Sequence, residues 1–325
     1  MRCFLIAVLA GLASGCGVPS FLITPVSHAG GLREQVVRRG KGLSPDKVVL
    51  IEVEGMLLNA QSGGFMQPSE NAVSRFVEQM DKAAQDPRVK AVVLRVNSPG
   101  GTVAASDILY QRVLQFRHAT GKPVIAAPQD VAASGAYYVS CAADAIVAHP
   151  ASIVGSIGVI YQTFDASGTM GKIGLKSEAI KSGQHKDMGS IFRPLDDSDR
   201  KLMQAMVEEY YGRFRTVVTA SRPIADEQKL AMATDGRVFT GTEAAKLGLV
   251  DATGMLDDAI DLAEQMAGAR DARVVLYKRP YGYSGSIYAS TEMPAAAEYR
   301  GMELKLPAAG PLLPTGFYYL WRPGM

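Results

Sequence analysis

Histidine and cysteine are scarce in this chain of 325 residues, with four of the first and three of the second. Cys3, Cys16 and Cys141 stand far apart, so there is no CxxC pair for zinc and no disulfide framework. His28, His118, His149 and His185 show no HExxH or comparable ligand spacing, and no metal is expected. Charge of one sign is lacking as well. Lys+Arg 34 against Asp+Glu 32 leave a formal +2, which gives no overall field for holding nucleic acid and no acidic tail. Neither GxxxxGK[ST] nor GxGxxG marks a phosphate loop, and Gly168-Thr169-Met170-Gly171-Lys172 fails the spacing, so no nucleotide cofactor is expected either. Hydrophobic residues at 47% and charged ones at 20% exclude disorder, a coiled coil and a collagen-like repeat. At roughly 150 residues per domain the length suits one large or two modest folded units.

The first 24 residues are of another kind. Met1-Arg2-Cys3 opens a short basic start, and the apolar run to Ala13 reads as an export signal. The run ends in Ala13-Ser14-Gly15-Cys16, which is similar to a bacterial lipobox, where the cysteine is lipidated and becomes the new N-terminus. Cys16 is therefore a lipidation candidate. The alternative is an uncleaved anchor, because Phe21-Leu22-Ile23 extends the apolar stretch toward the roughly 20 residues that span a bilayer. Gly15, Gly17, Pro19 and Ser20 interrupt it. Either reading attaches the protein to a cell membrane with its body on the extracytoplasmic, periplasmic face. Residues 25–46, punctuated by Pro and Gly and rich in Arg and Lys, read as a linker.

From residue 48 apolar runs and turns alternate. Val48-Val49-Leu50-Ile51-Glu52-Val53 and Ala91-Val92-Val93-Leu94-Arg95-Val96 are β-branched runs suited to burial on both faces of a sheet. Pro123 to Ala127, Ala145 to Ala148 and Ile157 to Ile160 add further strands. Between them Val73, Phe76, Val77, Met80, Ala83 and Ala84 recur at helical spacing after a start near Ser69, and a second helix is expected over 104–118. The alternation predicts an α/β fold with parallel strands. Beyond 197, Leu202, Ala205, Met206, Tyr210, Phe214 and Val217 mark one long amphipathic helix. Thr240-Gly241-Thr242-Glu243 is a capping box and Gly248 suits a left-handed helix stop. A helix near 254–267 and a strand from Arg273 to Tyr277 precede a Pro/Gly-rich tail ending Phe317-Tyr318-Tyr319-Leu320-Trp321. That end is too apolar to be idle and is expected to pack on the body or on a neighbouring subunit.

Two turns could carry chemistry. Asn97-Ser98-Pro99-Gly100-Gly101 follows a buried strand and precedes a helix, where glycines let backbone N–H groups face an anion or a developing oxyanion; a plain turn is the alternative. In Ala132-Ala133-Ser134-Gly135-Ala136-Tyr137-Tyr138 small residues flank Ser134 and would let a substrate backbone approach its hydroxyl. Ser134 fits a helix N-cap equally well. No G-x-S-x-G elbow occurs, so the α/β-hydrolase reading has no support. A serine nucleophile needs a base. His28, His118 and His149 read as solvated or structural, which leaves His185 and Lys186 in the polar loop 181–190. A lysine serves only if its pKa falls from about 10.4 to near 7–8, which burial can bring about. A solvated surface lysine is the plain alternative.

Together these segments resemble the signal peptide peptidase A (SppA) family, membrane-attached serine peptidases with a Ser–Lys dyad. The resemblance rests on Asn97 to Gly101, Ala132 to Tyr138, Val154-Gly155-Ser156-Ile157-Gly158-Val159, Lys181 to Ser190, Asp235-Gly236-Arg237-Val238-Phe239-Thr240-Gly241, and Gly248-Leu249-Val250-Asp251. It covers about residues 47–270, leaving 271–325 as a C-terminal strand and apolar tail. It implies the Clp protease/crotonase-like fold, an α/β superhelix of repeated strand-strand-helix units. By position it implies Ser134 as nucleophile, Lys186 as general base, Ser156 as the serine that hydrogen-bonds that lysine, and the amides of Gly101 and Gly135 as oxyanion hole, with no cofactor. Ala136 stands where many members carry glycine. With one Ser-Pro-Gly-Gly block and one Ala-Ser-Gly block the chain resembles the short, single-unit members. This implies a ring-like homo-oligomer in which neighbouring subunits contribute serine and lysine, with extended apolar peptides, chiefly remnant signal peptides, as substrates.

Two other functions compete. A crotonase-like hydratase acting on acyl thioesters would need carboxylates near the glycines, and residues 131–138 hold none after Asp130. An export signal also takes the chain away from soluble coenzyme A. A non-catalytic membrane scaffold would have no need of both Ser134 and Lys186.

Overall fold

A computed structural model of the chain describes residues 31–40, 44–60, 71–279, 316–321 and 323. The expected export signal with Cys16, part of the linker and most of the tail lie outside the described residues. The chain divides into Met1–Gly31 and Leu32–Met325, and every described element belongs to the second unit.

The strands are β1 (Arg33–Arg38), β2 (Lys47–Leu57), β3 (Val89–Thr102), β4 (Val124–Ala133), β5 (Ala145–Ala148), β6 (Ile153–Gly155), β7 (Ile160–Gln162), β8 (Val238–Thr240), β9 (Ala252–Thr253), β10 (Arg273–Lys278) and β11 (Gly316–Leu320). The main path of the sheet runs β1-β10-β2-β3-β4-β5-β9. Every pairing along it is parallel except that of β1 with β10. The mixed α/β class expected from the alternation is the one observed.

The continuous apolar runs are two-faced. Val49, Ile51 and Val53 of β2 join one core cluster, while Val48 and Leu50 join another. β3 divides in the same way, Val92, Leu94 and Val96 against Ala91 and Val93, because successive side chains leave a strand on opposite faces. The helices Ala72–Gln85 and Val103–Thr120 cover the first face through Phe76, Met80, Leu109 and Val113. The helix Leu256–Met266 covers the second through Leu256, Ala259, Ile260 and Ala263. Burying both faces is what lets such runs carry no polar alternation. The Asn71 side chain starts the first helix by accepting from the amides of Val73 and Ser74.

The strands that reach the site change partners along their length. The first half of β4 pairs with β5 through Ile125 and Ala126, and the second half pairs with β6 through Val131, Ala132 and Ala133. Pro128, which has no N–H, sits at the changeover, where the register against β3 shifts between Val96 and Ser98.

Four local expectations are corrected. Arg33–Arg38 lies within the stretch expected as linker and is a strand, since antiparallel pairing with β10 asks only for backbone groups and needs no apolar pattern. The strand expected over 157–160 gives way to β6 and β7, because Gly155 (φ 104°) and Ser156 (φ 52°) turn the chain between them. The stretch Ala136 to Ala143, whose small and apolar residues predict a buried helix after Ser134, is helical only from Gly135 to Ser140. On the long helix Asp197–Ser221 the buried stripe is Met203, Phe214, Val217 and Val218, whereas Leu202 and Ala205 face outward.

Candidate active site

Ser134 sits where β4 ends and the helix Gly135–Ser140 begins. Its backbone is at φ 53°, ψ −116°, a conformation that costs a non-glycine residue about 1–3 kcal/mol and persists only where the surroundings impose it. Those surroundings are visible. The Ser134 amide donates to Gly155 O at 2.7 Å, and Ser134 O accepts from the Tyr138 amide at 2.9 Å. The hydroxyl makes no cap to the helix, so the N-cap alternative does not account for serine here. Ser156 follows β6 as Ser134 follows β4. Ala133 pairs with Gly155, and both serines leave their strands at positive φ. The Ser156 amide donates to Arg237 O at 2.7 Å, and both serines are buried. The strand ladder thus brings Ser134 and Ser156 to the same level of the sheet.

A cradle of glycine backbone faces this turn. A Cβ on Gly100, itself at φ 100°, would lie 2.7 Å from Gly135 N. One on Gly135 would lie 2.2 Å from Ser106 Oγ and 3.2 Å from Gly101 N, and one on Gly101 only 2.0 Å from Leu57 O. Real Cβ atoms essentially never come within 3.0 Å of another heavy atom, and glycine is what lets the end of β3 meet the start of the helix. Ser98 holds the turn from below, its hydroxyl donating to Gly55 O at 2.6 Å and accepting from the Gly100 amide at 3.1 Å.

Behind the turn lies an aromatic shelf. The Tyr137 hydroxyl donates to Leu249 O (2.6 Å) and the Tyr138 hydroxyl to Asp107 Oδ1 (2.8 Å). Burial, and then Asp107, push the Tyr138 phenol well above its usual range, so it stays protonated as a donor. The Tyr138 ring meets Tyr110, Phe214 and Tyr319 at centroid distances of 4.9, 5.1 and 5.3 Å. Cys141, at the end of the same helix, is buried; burial pushes its thiol up, away from nucleophilic use.

Lys186 is in a different setting. It is exposed and makes no side-chain hydrogen bond among the described residues, so within the single chain it is not hydrogen-bonded to Ser134. Its two neighbours are held firmly. His185 Nδ1 lies 2.6 Å from Asp199 Oδ1, and Asp187 is bound by Lys181 at 2.6 Å and by Arg193 at 2.9 Å. Arg193 also reaches Asp199, which is wholly buried in the first turn of the helix Asp197–Ser221. Arg193 and Lys181 hold the Asp187 carboxyl, and His185 and Arg193 the Asp199 carboxyl, below the usual carboxylate range. Nothing in the sequence singles out Asp199 or Arg193, which meet His185 and Asp187 only through the fold.

Among the described residues no group of three or more His, Cys, Asp or Glu is placed to hold a metal ion.

Residues 117–270 match the model of peptidase family S49. A protein of Methanocaldococcus jannaschii named as a protease is 39% identical over 219 residues, 67% of this chain and 69% of that protein. A protein of Enterococcus faecium named as a signal peptide peptidase SppA is 31% identical over 263 residues, 81% of this chain and 75% of its own length. Among solved structures, a variant of the 1510-N membrane-bound stomatin-specific protease aligns over 71% of this chain and 97% of that one, with a TM-score of 0.45 and 15% identity.

Proposed function

The chain belongs to peptidase family S49 as an SppA-type serine peptidase, and from that premise we propose that it is attached to the membrane and cuts extended apolar peptides, remnant signal peptides chief among them, with Ser134 and Lys186. The observation that carries this reading is the Ser134 turn: a buried serine in a strained backbone conformation, uncommitted to capping, beside a backbone cradle that admits only glycine.

In the proposed reaction neutral Lys186 takes the hydroxyl proton as Ser134 Oγ attacks the peptide carbonyl. The resulting oxyanion is held by the amides of Gly101 and Gly135. The C–N bond then breaks, the leaving amine takes the proton from Lys186, and the acyl group stays on Ser134. Water, deprotonated by Lys186, releases the acyl group and restores the serine. Ser156, one ladder step from Ser134, is suited to orient the lysine.

The exposure of Lys186 supports a site completed by a second copy. The segment before it carries Ile173, Leu175 and Ile180 at 67%, 56% and 102% exposure, a run of bare apolar side chains that a neighbouring subunit would cover. A ring-like homo-oligomer with each serine and lysine from adjacent subunits fits both facts. Membrane attachment through Cys16 or an uncleaved anchor, and an extracytoplasmic location, rest on the N-terminal sequence.

The test is cleavage of an apolar fluorogenic peptide by wild type, Ser134→Ala and Lys186→Ala. Each variant should lose at least about 10³-fold in kcat. A Ser134→Ala chain cutting at the wild-type rate would end this reading.

A further inference from the structure

Of the block Asn97-Ser98-Pro99-Gly100-Gly101 the proposed reaction calls on the Gly101 amide alone. The two residues at its head have a task of their own. At this level the ladder slips on both sides of β3. Against β4 the register shifts between Val96 and Ser98. Against β2 it shifts between Glu54 and Met56, so that Ser98 and Pro99 together stand opposite the single residue Gly55, itself at φ 63°. Regular strand hydrogen bonds do not fix a chain where the ladder is disrupted, and Pro99 has no N–H to give.

Side chains take over. Asn97 ties β3 to β4: its Oδ1 accepts from the Val131 amide and its Nδ2 donates to Asp130 Oδ2, each at 3.3 Å. Ser98 ties β3 to β2 and to the turn itself. Its hydroxyl donates to Gly55 O at 2.6 Å and accepts from the Gly100 amide at 3.1 Å, two bonds that a single hydroxyl makes at once. Ser98 is wholly buried and Gly100 is buried too, so both groups are out of reach of bulk solvent. One residue on, Gly101 is pressed against β2, where a Cβ would lie 2.0 Å from Leu57 O and 2.6 Å from Leu57 N. The turn is thus pinned to β2 at both feet, by Ser98 on Gly55 and by Gly101 on Leu57. In that position Gly101 N is 3.2 Å from where a Cβ on Gly135 would be, so the two amides assigned to the oxyanion hole meet at one place.

We propose that Ser98 is a positioning residue for the oxyanion hole: by holding the Gly100 amide to the Gly55 carbonyl through one hydroxyl, it sets the direction in which the Gly101 amide meets the carbonyl that Ser134 attacks. The assignment rests on the peptidase reading above. Without the hydroxyl the buried Gly100 amide loses its acceptor, and the peptide units of the turn rotate to satisfy it, carrying the Gly101 amide off its aim. A misplaced oxyanion donor weakens binding of the transition state and leaves binding of the uncut peptide as it was.

The experiment compares full-length wild type, Ser98→Ala and Ser98→Cys in cleavage of the apolar fluorogenic peptide, and in inhibition by a peptide aldehyde of the same apolar sequence and by the corresponding peptide alcohol. Ser134 Oγ adds to the aldehyde carbon, its proton passes to Lys186 and the carbonyl oxygen becomes an oxyanion, whereas the alcohol binds with no such step. In Ser98→Ala kcat should fall about 10²-fold with KM within about twofold of wild type. The aldehyde should bind about 10²-fold more weakly and the alcohol as tightly as before, a split that a merely loosened fold does not produce. If the alanine variant does not fold, Ser98→Cys, whose thiol fills the same place but bonds weakly, should show the same split at about tenfold. A kcat equal to that of wild type, or the same loss for aldehyde and alcohol, overturns the proposal and leaves the peptidase reading standing. Wild type that neither cuts the peptide nor binds the aldehyde more tightly than the alcohol overturns the peptidase reading, and this assignment with it.

Discussion

The two halves of the candidate site are built on opposite principles. On the serine side every constraint is internal: Ser134 is 1% exposed, tied to Gly155 and Tyr138, and backed by glycines that no other residue could replace. On the lysine side the loop is ordered from within, through the bonds of His185, Asp187, Arg193 and Asp199, but the Lys186 side chain is left outward. In the proposed reaction one chain thus finishes the nucleophile and the cradle, and presents the base. A lysine works as a base only after losing much of its hydration, and in the proposed assembly the neighbouring copy supplies that burial.

The largest effect is expected at the serine. Glycine adopts the Ser134 conformation without strain, so Ser134→Gly should abolish peptide cleavage, by at least about 10³-fold, while stabilising the fold by about 1 kcal/mol. Thermal unfolding of the inactive variant checks this, and a fall in Tm would show that the turn stores no strain. The lysine side should respond in another way. Asp199→Asn weakens the hold on His185 and Arg193 on either side of Lys186, and kcat should fall about tenfold with KM unchanged, because the proposed base is misplaced and the Ser134 turn is untouched. A rise in KM with kcat intact would contradict it.

The smallest effect lies in the sheet that supports the serine. Lys47 is buried at the start of β2 and pairs with Glu34 and, at 2.8 Å, with Asp86. Burial pushes the Asp86 carboxyl up, but hydrogen bonds from Lys47 and Arg88 outweigh it and hold the group at about 2. A carboxyl lowered on folding adds stability that is whole above its unfolded value of about 4 and is lost as pH falls through about 2. Tm should therefore drop across that window more steeply in wild type than in Asp86→Asn. Parallel curves for the two proteins would contradict the assignment.

What could be read from the sequence follows the same division. The runs in β2, β3 and β4 were legible because burial on both faces leaves an unbroken apolar signature, and the capping box at Thr240 and Glu243 is as local in the structure as in the sequence. β1 was not legible, because its Arg-Glu-Gln start carries no apolar pattern and its pairing with β10 joins residues more than two hundred positions apart. Ser134 could be singled out by its small neighbours, but its positive φ arises from the Gly155 carbonyl across the ladder. The aromatic end of the chain announced packing of some kind. Its position between β3 and β7 depends on a long-range register that no local pattern records.

In the proposed assembly serine and lysine meet across a subunit boundary, and mixing the two inactive chains measures this directly. Ser134→Ala and Lys186→Ala proteins, dissociated and reassembled together, should regain about a quarter of wild-type cleavage per site, since random mixing pairs an intact serine with an intact lysine that often. Co-assembly verified by mass with no return of activity would show that serine and lysine do not meet between subunits.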